Sequence, residues 1–536
     1  MTRKLFGFLL GTVVFSFSCT TSETATPKLV VLMVLDHMRP DHLTRFDELY
    51  EGGFRWIMDN GTWFTNNHHE HGYTATGPAH FVIGTGQYPG PGGALGNIFY
   101  DRILEKKVNC VEDPNAKTVG GDGKARSFVR YETKGIGDWI KAADSQSKVF
   151  SIAGKDRSAV LMGGKDPDLA VYYNRSDRFI TSDYYADELP RWLDKFNQNL
   201  NLSSYQDSLW TKSLSDSHYL KYAREDYYSG EKDTYEKDPY SPVFPIGFDS
   251  GTQVGDEIMG RPWFERIILD LGLTVVREEA LGKDEHPDLL CIGFSAMDWM
   301  IHDYGPFSQE TMDACIKLDR YLADFIHDLD TTVGLEHIEF VLSSDHGGLP
   351  LPEFQQAKGI PAGRIDRDRL KDASKWIEDE ITETYGQNIF VRDGVHYFFD
   401  LETLKKRNVP LSEPASIIKK YLPRVEGIKQ VFTKREIIEG DSTDKIMFRL
   451  QKMIHPEMSP DVVTLVSPGY LFMTPHGTSH GTPYDYDTHV PLIISRTGRA
   501  TKQISERSKS VDIAPTIAKM LGIEIPVYCD GVPLKF

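Results

Sequence analysis

The stretch LVVLMVLD, Leu29 to Asp36, decides the fold of this 536-residue chain. Its first seven residues form an uninterrupted apolar run rich in valine, which is typical of a parallel strand buried on both faces of a sheet. Similar runs occur at 148–153, 289–294 and 338–342, and segments with helical apolar spacing lie between them. The sequence therefore predicts a large α/β domain with a largely parallel central sheet.

Charged and imidazole side chains follow the ends of these strands. Asp36 ends the first run, Asp298 and His302 stand four residues apart after the third, and Asp345 and His346 follow the fourth. Ligands bind at the carboxyl ends of strands in open α/β sheets, and Asp and His are common metal ligands. The spacing predicts metal ligands at this edge. Helix caps, turns or buried core histidines are the alternatives at each position.

The segment HGYTATGPAHFVIGTG, His71 to Gly86, supplies a candidate nucleophile. Proline is favoured in the first turn of a helix, so Gly77-Pro78 places Thr76 at or next to a helix N-terminus. That end offers free N–H groups and a positive dipole to an anion. We expect the Thr76 hydroxyl to act as a nucleophile once deprotonated, with Thr74 as the alternative.

Three further residues are candidate contacts for a bound oxyanion. Asn97 ends a stretch rich in Gly and Pro and can donate an amide hydrogen bond, although a plain turn residue is the alternative. Lys155 and Arg157 follow the strand at 148–153, where a point charge and a planar fork could hold a phosphate group. A Lys-x-Arg pair is also common on protein surfaces.

Two histidine-rich segments leave the choice of ligands open. FTNNHHEHGY carries three histidines around Glu70 and reads either as a metal site or as a polar loop. TPHGTSHGTPYDYDTHVP precedes an expected strand at 490–494 and offers three more. The histidines concerned are His68, His69 and His71 in the first segment, and His480, with His476 and His489 as its alternatives, in the second.

Composition excludes one class of partner and leaves another open. With 60 basic and 78 acidic residues the formal charge is −18, so we expect no nucleic-acid partner. An anionic substrate is not excluded, because bound metals reverse the local field. Residues 172–250 and 349–467 lack the strand-and-helix alternation and are interpreted as insertions, the first as a cap over the active-site face.

The first residues have the pattern of a targeting segment. Arg3 and Lys4 precede the short apolar run LFGFLLGTVVF, and SFSC ends at Cys19. This pattern predicts a signal peptide over 1–19, of lipoprotein type with Cys19 lipidated, and a polar tether over 20–28. A plain secretory signal is the alternative. Either implies a periplasmic location or, with the lipid, an outer-membrane anchor as the one membrane contact.

With these residues in view, the chain resembles the alkaline phosphatase superfamily, and within it the secreted bacterial phosphate-irrepressible alkaline phosphatases. The resemblance extends from Leu29 to the C-terminus and implies a three-layer α/β sandwich with inserted cap segments. The motifs that carry it are VLDHMRPDHL, TATGPAH, GNIFYDR, GKDRS, FSAMDWMIHDYGP, SSDHGG and SHGTPYDYDTHVP.

The resemblance implies a two-zinc phosphomonoesterase that forms a phosphothreonine on Thr76 and acts on small-molecule phosphate monoesters. It implies contacts from Asn97, Lys155 and Arg157 to the phosphate. It also implies two sets of zinc ligands, namely Asp298, His302 and His480 for one ion, and Asp36, Asp345, His346 and the Thr76 oxygen for the other.

Three other functions remain as alternatives. A phosphodiesterase or nucleotide pyrophosphatase of the same superfamily would share the zinc ligands but would not need Lys155 and Arg157, since a diester has one charged oxygen fewer. A sulfatase would need Cys or Ser in place of Thr76. A catalytically dead lipoprotein could bind a ligand on the same fold, although all the inferred ligands are present.

Overall fold

The computed structural model describes residues 26–232, 242–248, 251, 253–472 and 474–536. Within them, the largest sheet has ten strands, and its five central strands are all parallel. In spatial order these are Ile338–Ser344, Leu29–Leu35, Asp288–Phe294, Val149–Ala153 and Leu169–Tyr173. The predicted parallel α/β sheet is confirmed. The expected signal peptide, with Cys19, lies outside the described residues.

Antiparallel strands extend the sheet on both sides. The strand expected at 490–494 begins at Leu492 and pairs antiparallel with Ile338–Ser344. The remaining strands on this side are Gly61–Phe64 and Lys502–Ile504, and those on the other side are Phe179–Ser182 and Thr118–Val119.

Helices cover both faces of the sheet, because alternate residues of each central strand point to opposite sides. Leu29, Val31 and Met33 pack into one apolar cluster, and Val30 and Leu32 into another. The first face carries the helices Gly53–Asp59, Trp263–Glu278, Ala296–Tyr304 and Gln309–Thr332; the second carries Thr76–Thr85, Ile136–Ala143, Asp156–Gly163 and Ile513–Met520. This arrangement is the expected three-layer sandwich.

The described part of the segment 172–250 packs onto the main core. Its start continues the sheet, since Leu169–Tyr173 and Phe179–Ser182 are neighbouring strands. The helices Arg191–Asn199 and Asp216–Tyr222 follow. Trp210 and Tyr219 are fully buried against the first apolar cluster, and each donates a hydrogen bond of 2.5 Å to the Asp313 carboxylate.

The segment 349–467 has its own sheet and its own apolar core. The sheet is antiparallel, with the strands Phe390–Asp393, His396–Phe399, Val462–Val466 and Ile428–Thr433 in that order. The helices of this insertion are Pro352–Ala357, Arg367–Tyr385, Leu401–Lys406, Ser412–Tyr421, Lys434–Ile438 and Lys445–Gln451.

The remaining elements are short. The α-helices among them are Pro40–Arg45, Pro89–Gly92, Val254–Glu257 and Asp485–Thr488, and the paired strands are Asn67–His68 with Ser508–Lys509, Ile98–Asp101 with Lys106–Asn109, and Gly363–Arg364 with Tyr470–Leu471. The 3₁₀ helices are Asp47–Leu49, Leu202–Tyr205, Ile258–Gly260, Leu335–His337, Leu422–Arg424 and Ser510–Asp512. In the part of the chain that is described, no helix has the length and apolarity of a membrane span.

A buried arginine joins the second insertion to the rest of the molecule. Arg449, fully buried in the helix Lys445–Gln451, donates from Nε to Glu70 Oε2 at 3.0 Å. Its Nη1 donates to the Pro483 carbonyl at 2.6 Å and to Asp485 at 3.0 Å. Because a buried guanidinium needs partners for its charge, these contacts fix the insertion against the loop after residue 68.

Replacing Arg449 with Ala is expected to lower the free energy of unfolding by roughly 3–5 kcal/mol, because the change leaves the buried Glu70 without one of its partners. Denaturant unfolding of the purified protein measures this. Arg435→Ala is the matched control, since its ion pair with Glu439 lies at the surface and is worth little. Equal stability of the two variants would contradict the role given to Arg449.

Candidate active site

Residues that follow neighbouring parallel strands meet at the carboxyl edge of the sheet. Leu35 is in register with both Phe294 and Ser344, so the residues after these three strands lie side by side. Asp36 and Asp345 come directly after their strands, and Asp298 lies in the first turn of the helix Ala296–Tyr304. All three carboxylates are buried. The structure therefore brings these three residues, expected from the sequence at the strand ends, together at one edge of the sheet.

Lys155 links two of these carboxylates. Its Nζ lies 2.5 Å from Asp36 Oδ2 and 2.5 Å from Asp298 Oδ2, and 3.5 Å from Thr76 Oγ1. Burial by itself would lower the pKa of Lys155, but Asp298 and Asp36 outweigh it and raise the pKa. The lysine is therefore a fixed positive charge beside the threonine hydroxyl.

Thr76 is the first residue of the helix Thr76–Thr85, after an extended Ala75. Asn97 lies at this helix N-terminus, where its Oδ1 accepts a hydrogen bond from the Gly77 N–H at 2.6 Å. Because Oδ1 accepts this bond, the Nδ2 amide group remains to donate hydrogen bonds to another acceptor. Thr74, the alternative nucleophile, donates its hydroxyl to the Thr482 carbonyl instead.

Three histidines present the same ring nitrogen to the carboxylates. Each donates its Nδ1–H to a backbone carbonyl, His302 at 2.7 Å, His346 at 3.0 Å and His480 at 2.7 Å. In the neutral ring, Nε2 is then the unprotonated nitrogen. Nε2 of His302 lies 3.2 Å from Asp298 and Nε2 of His346 lies 3.3 Å from Asp345. This orientation is the one that metal-binding histidines adopt.

The described residues contain two groups whose donor atoms all lie within 4.8 Å of one another, one of Asp36, Asp345 and His346, the other of His37, Asp298, His346 and His480. Asp36 Oδ1, Asp345 Oδ2 and His346 Nε2 are buried and make no hydrogen bond. Such atoms are costly unless something coordinates them. The residues present therefore fit a metal centre.

His37 is a member of the second group that the sequence analysis missed. Its Nδ1 lies 2.8 Å from Asp298 Oδ1, and burial lowers its pKa to about 4. Its backbone is left-handed, at φ 69°. Nε2 packs against Gly348, where a Cβ would come within 1.9 Å. The only signal in the sequence was a histidine directly after a strand-end aspartate. His302, which was predicted, touches Asp298 but falls outside the two groups.

The other histidines lie outside both groups. His68 stacks on His489 with ring centroids 4.6 Å apart, and His69 Nε2 donates to the Ser344 carbonyl at 2.9 Å. His71 is fully buried and packs against His69. Among the three histidines of the segment 474–490, the one that joins a group is His480, not His476 or His489.

Arg157 lies in the first turn of the helix Asp156–Gly163, with 21% of its side chain exposed. Nη1 lies 3.6 Å from Asp156, which Arg126 also holds at 2.7 Å. Burial and Asp298 raise the pKa of Asp36 to about 6, while Lys155 and Arg157 oppose that rise. The site therefore combines buried acidic groups with two fixed cations.

The chain belongs to the type I phosphodiesterase / nucleotide pyrophosphatase family, whose model matches residues 30–490. This match confirms the resemblance to the alkaline phosphatase superfamily. The protein is an enzyme of that superfamily.

Individual relatives are similar along nearly the whole chain. Alkaline phosphatase PafA of Elizabethkingia meningoseptica is 28% identical over 541 residues, with 98% of each chain covered. Alkaline phosphatase PhoV of Synechococcus elongatus is 29% identical, covering 94% of this chain and 91% of its own. The crystal structure of wild-type PafA matches with a TM-score of 0.86 at 29% identity, covering 95% of this chain and 98% of that one.

Glu265 supports the helix that carries Asp298 and His302. Its Oε1 accepts hydrogen bonds from the Ala296 N–H at 2.7 Å and the Met297 N–H at 3.0 Å. Burial raises the pKa of this carboxyl to about 8, against the effect of those two bonds. The folded protein therefore binds a proton here that the unfolded chain releases at a much lower pH.

The sign of the resulting pH dependence follows from that proton. Between the unfolded pKa and about pH 8 the folded state binds more protons, so stability falls as pH rises, by about 1.4 kcal/mol per pH unit for one proton. Glu265→Gln keeps an acceptor oxygen and is expected to remove this slope. Unfolding free energies at pH 5.5 and 7.5 measure it, with the exposed Glu278→Gln on the same helix as control. An unchanged slope in Glu265→Gln would refute this assignment.

Proposed function

We propose that the protein hydrolyses phosphate monoesters through a covalent phosphothreonine on Thr76, with two zinc ions. The observation that carries this proposal is the position of Thr76 Oγ1, at a helix N-terminus and 3.5 Å from Lys155 Nζ. The same Nζ joins Asp36 and Asp298 across the candidate metal centre. The names of the relatives PafA and PhoV, both alkaline phosphatases, support it.

The donor set suits zinc, which binds imidazole nitrogen and carboxylate oxygen. One ion would be held by Asp298, His302 and His480, and the other by Asp36, Asp345, His346 and the Thr76 oxygen, with His37 beside the first through its contact with Asp298. Bound zinc would lower the pKa of the threonine hydroxyl and stabilise the charge on the leaving oxygen.

The chain's own groups do the remaining work in two steps. The Thr76 hydroxyl gives up its proton to solvent and its oxygen attacks phosphorus; the ester P–O bond breaks, and the released alkoxide takes a proton from water. Water then attacks the phosphothreonine, the P–O bond to threonine breaks, the proton of the attacking water restores the Thr76 hydroxyl, and phosphate is released. Asn97 Nδ2, Lys155 and Arg157 hold the phosphoryl oxygens while the charge on them develops.

A phosphodiesterase is the second candidate, because the family model is described as a phosphodiesterase and nucleotide pyrophosphatase. Lys155 and Arg157 favour the monoester, which carries one more charged oxygen than a diester. We also propose that the enzyme acts in the periplasm or on an outer-membrane lipid anchor at Cys19. This location rests on the sequence of residues 1–19 alone.

Thr76→Ala is expected to abolish turnover of a phosphate monoester while the protein keeps about two zinc ions per chain. Steady-state rates and metal analysis of the purified protein measure both. Acid quenching during turnover should trap a phosphorylated Thr76 in the wild type. Thr74→Ala, the matched control, should keep its turnover. Turnover by Thr76→Ala would contradict the assignment of Thr76 as the nucleophile. A fully active, metal-free wild type would contradict the proposed requirement for zinc.

Arg157→Ala is expected to lower kcat/KM for a monoester more than for a diester, because it removes a cation that faces the extra charged oxygen. A charge-assisted contact is worth roughly 1.5–3 kcal/mol, or about ten- to over a hundred-fold in rate. The double variant with Lys155→Ala should go further in the same direction. Lys155 also neutralises Asp36 and Asp298, so the single variant is the cleaner test.

The surface variant Lys141→Ala controls for a general loss of positive charge, and metal content is measured in each protein. If kcat/KM falls by the same factor for the monoester and the diester in Arg157→Ala, Arg157 does not recognise the extra charged oxygen, and the phosphodiesterase becomes the favoured alternative.

A further inference from the structure

A cavity of about 370 Å³ lies between the second insertion and the loops beside Thr76. We name it the insertion pocket. It has the size of pockets that hold small organic ligands. Nothing in the two-step chemistry derived above requires this pocket, since the phosphoryl group would lie at the candidate metal centre.

The wall on the catalytic side presents large apolar side chains beside one histidine and a few polar residues, namely Ser479, Thr482 and Asp487. The large side chains are Tyr73, Ile98 and Phe99, and the histidine is His480. Tyr73 and Ile98 are 41% and 63% exposed. Large apolar side chains this exposed, next to a polar site, indicate a surface that a ligand covers.

The wall on the insertion side is aromatic and rich in methionine. It includes Phe398, Phe472, Met453 and Met458. The Phe398 ring packs against Tyr100 with centroids 5.0 Å apart. Aromatic faces and flexible thioethers together accommodate planar apolar groups of varied outline.

His480 connects the pocket with the candidate metal centre. Its ring lines the pocket and stacks on His346 with centroids 3.4 Å apart. Its Nδ1 donates to the carbonyl of Thr74, two residues before the nucleophile. A group that extends from a phosphorus atom at Thr76 past His480 therefore enters the insertion pocket.

The charges that line the pocket disfavour a leaving group that carries a negative charge of its own. No lysine or arginine is among the described residues that line it, and its carboxylates are Asp393 and Asp487. Asp487 accepts two hydrogen bonds from Thr482, and Asp393 pairs with Lys107 at 2.6 Å. No cation in this lining would offset the charge of an anionic leaving group.

The geometry points to the insertion pocket as the binding site for the leaving group, and to esters of uncharged, apolar, preferably aromatic alcohols as the preferred substrates. This inference rests on the proposed phosphomonoesterase function and adds the substrate class. An ester with a small leaving group gains nothing from these walls, and one with an anionic leaving group is disfavoured by them.

Three monoesters test the inference, namely methyl phosphate, benzyl phosphate and 4-carboxybenzyl phosphate. Methanol and benzyl alcohol are of similar acidity, so the chemical step alone separates their esters little. The wild type is expected to hydrolyse benzyl phosphate with a kcat/KM about tenfold or more above that for methyl phosphate. The added carboxylate should reverse much of that gain.

Two variants locate the effect. Phe472→Ser should lower the ratio of the kcat/KM for benzyl phosphate to that for methyl phosphate most of the way to one. Met458→Lys should raise the ratio of 4-carboxybenzyl to benzyl turnover by up to about fivefold. Val391→Ser, on an exposed strand of the same insertion and outside the pocket, is the matched control and should change no ratio.

The outcomes separate this inference from the proposed function. Turnover of all three monoesters with no benzyl preference, or a preference that Phe472→Ser leaves intact, would overturn the pocket assignment while the phosphomonoesterase stands. Absence of turnover for all three by the zinc-loaded wild type would overturn the proposed function itself.

Discussion

The contact on which the rest of the structure depends is the buried group of Lys155 with Asp36 and Asp298. Moving charges out of water costs several kcal/mol for each ion, so such a group persists only where geometry and hydrogen bonds compensate. The parallel strands fix the positions of the charges, and Asp345 nearby is held by the backbone N–H groups of His37 and His346. Two apolar layers then keep the strands in place.

The central strands and the residues at their ends could be predicted from the sequence, because a strand buried on both faces appears there as an unbroken apolar run. Leu29–Leu35 was predicted with its observed bounds. What the pattern lacked was neighbour order and direction. Nothing in the run at 490–494 indicates that it pairs antiparallel with Ile338–Ser344, since both kinds of pairing bury the same side chains.

The parts that sequence reasoning missed depend on backbone conformation and long-range packing. His37 enters the site through a left-handed backbone and the bare Cα of Gly348, and no spacing rule joins two residues that far apart. The choice of His480 over His476 and His489 was likewise open, because the loop around them has no period. The four-stranded sheet of the second insertion also went unrecognised.

The separate core of that second insertion has a consequence for how substitutions act. Its strands pair with one another and not with the central sheet, whose carboxyl edge carries the candidate active site. A substitution confined to this separate core can therefore change the shape of the insertion while the strand ends that carry Asp36, Asp298 and Asp345 keep their positions. Only residues such as Arg449, which contact both parts, tie the two changes together.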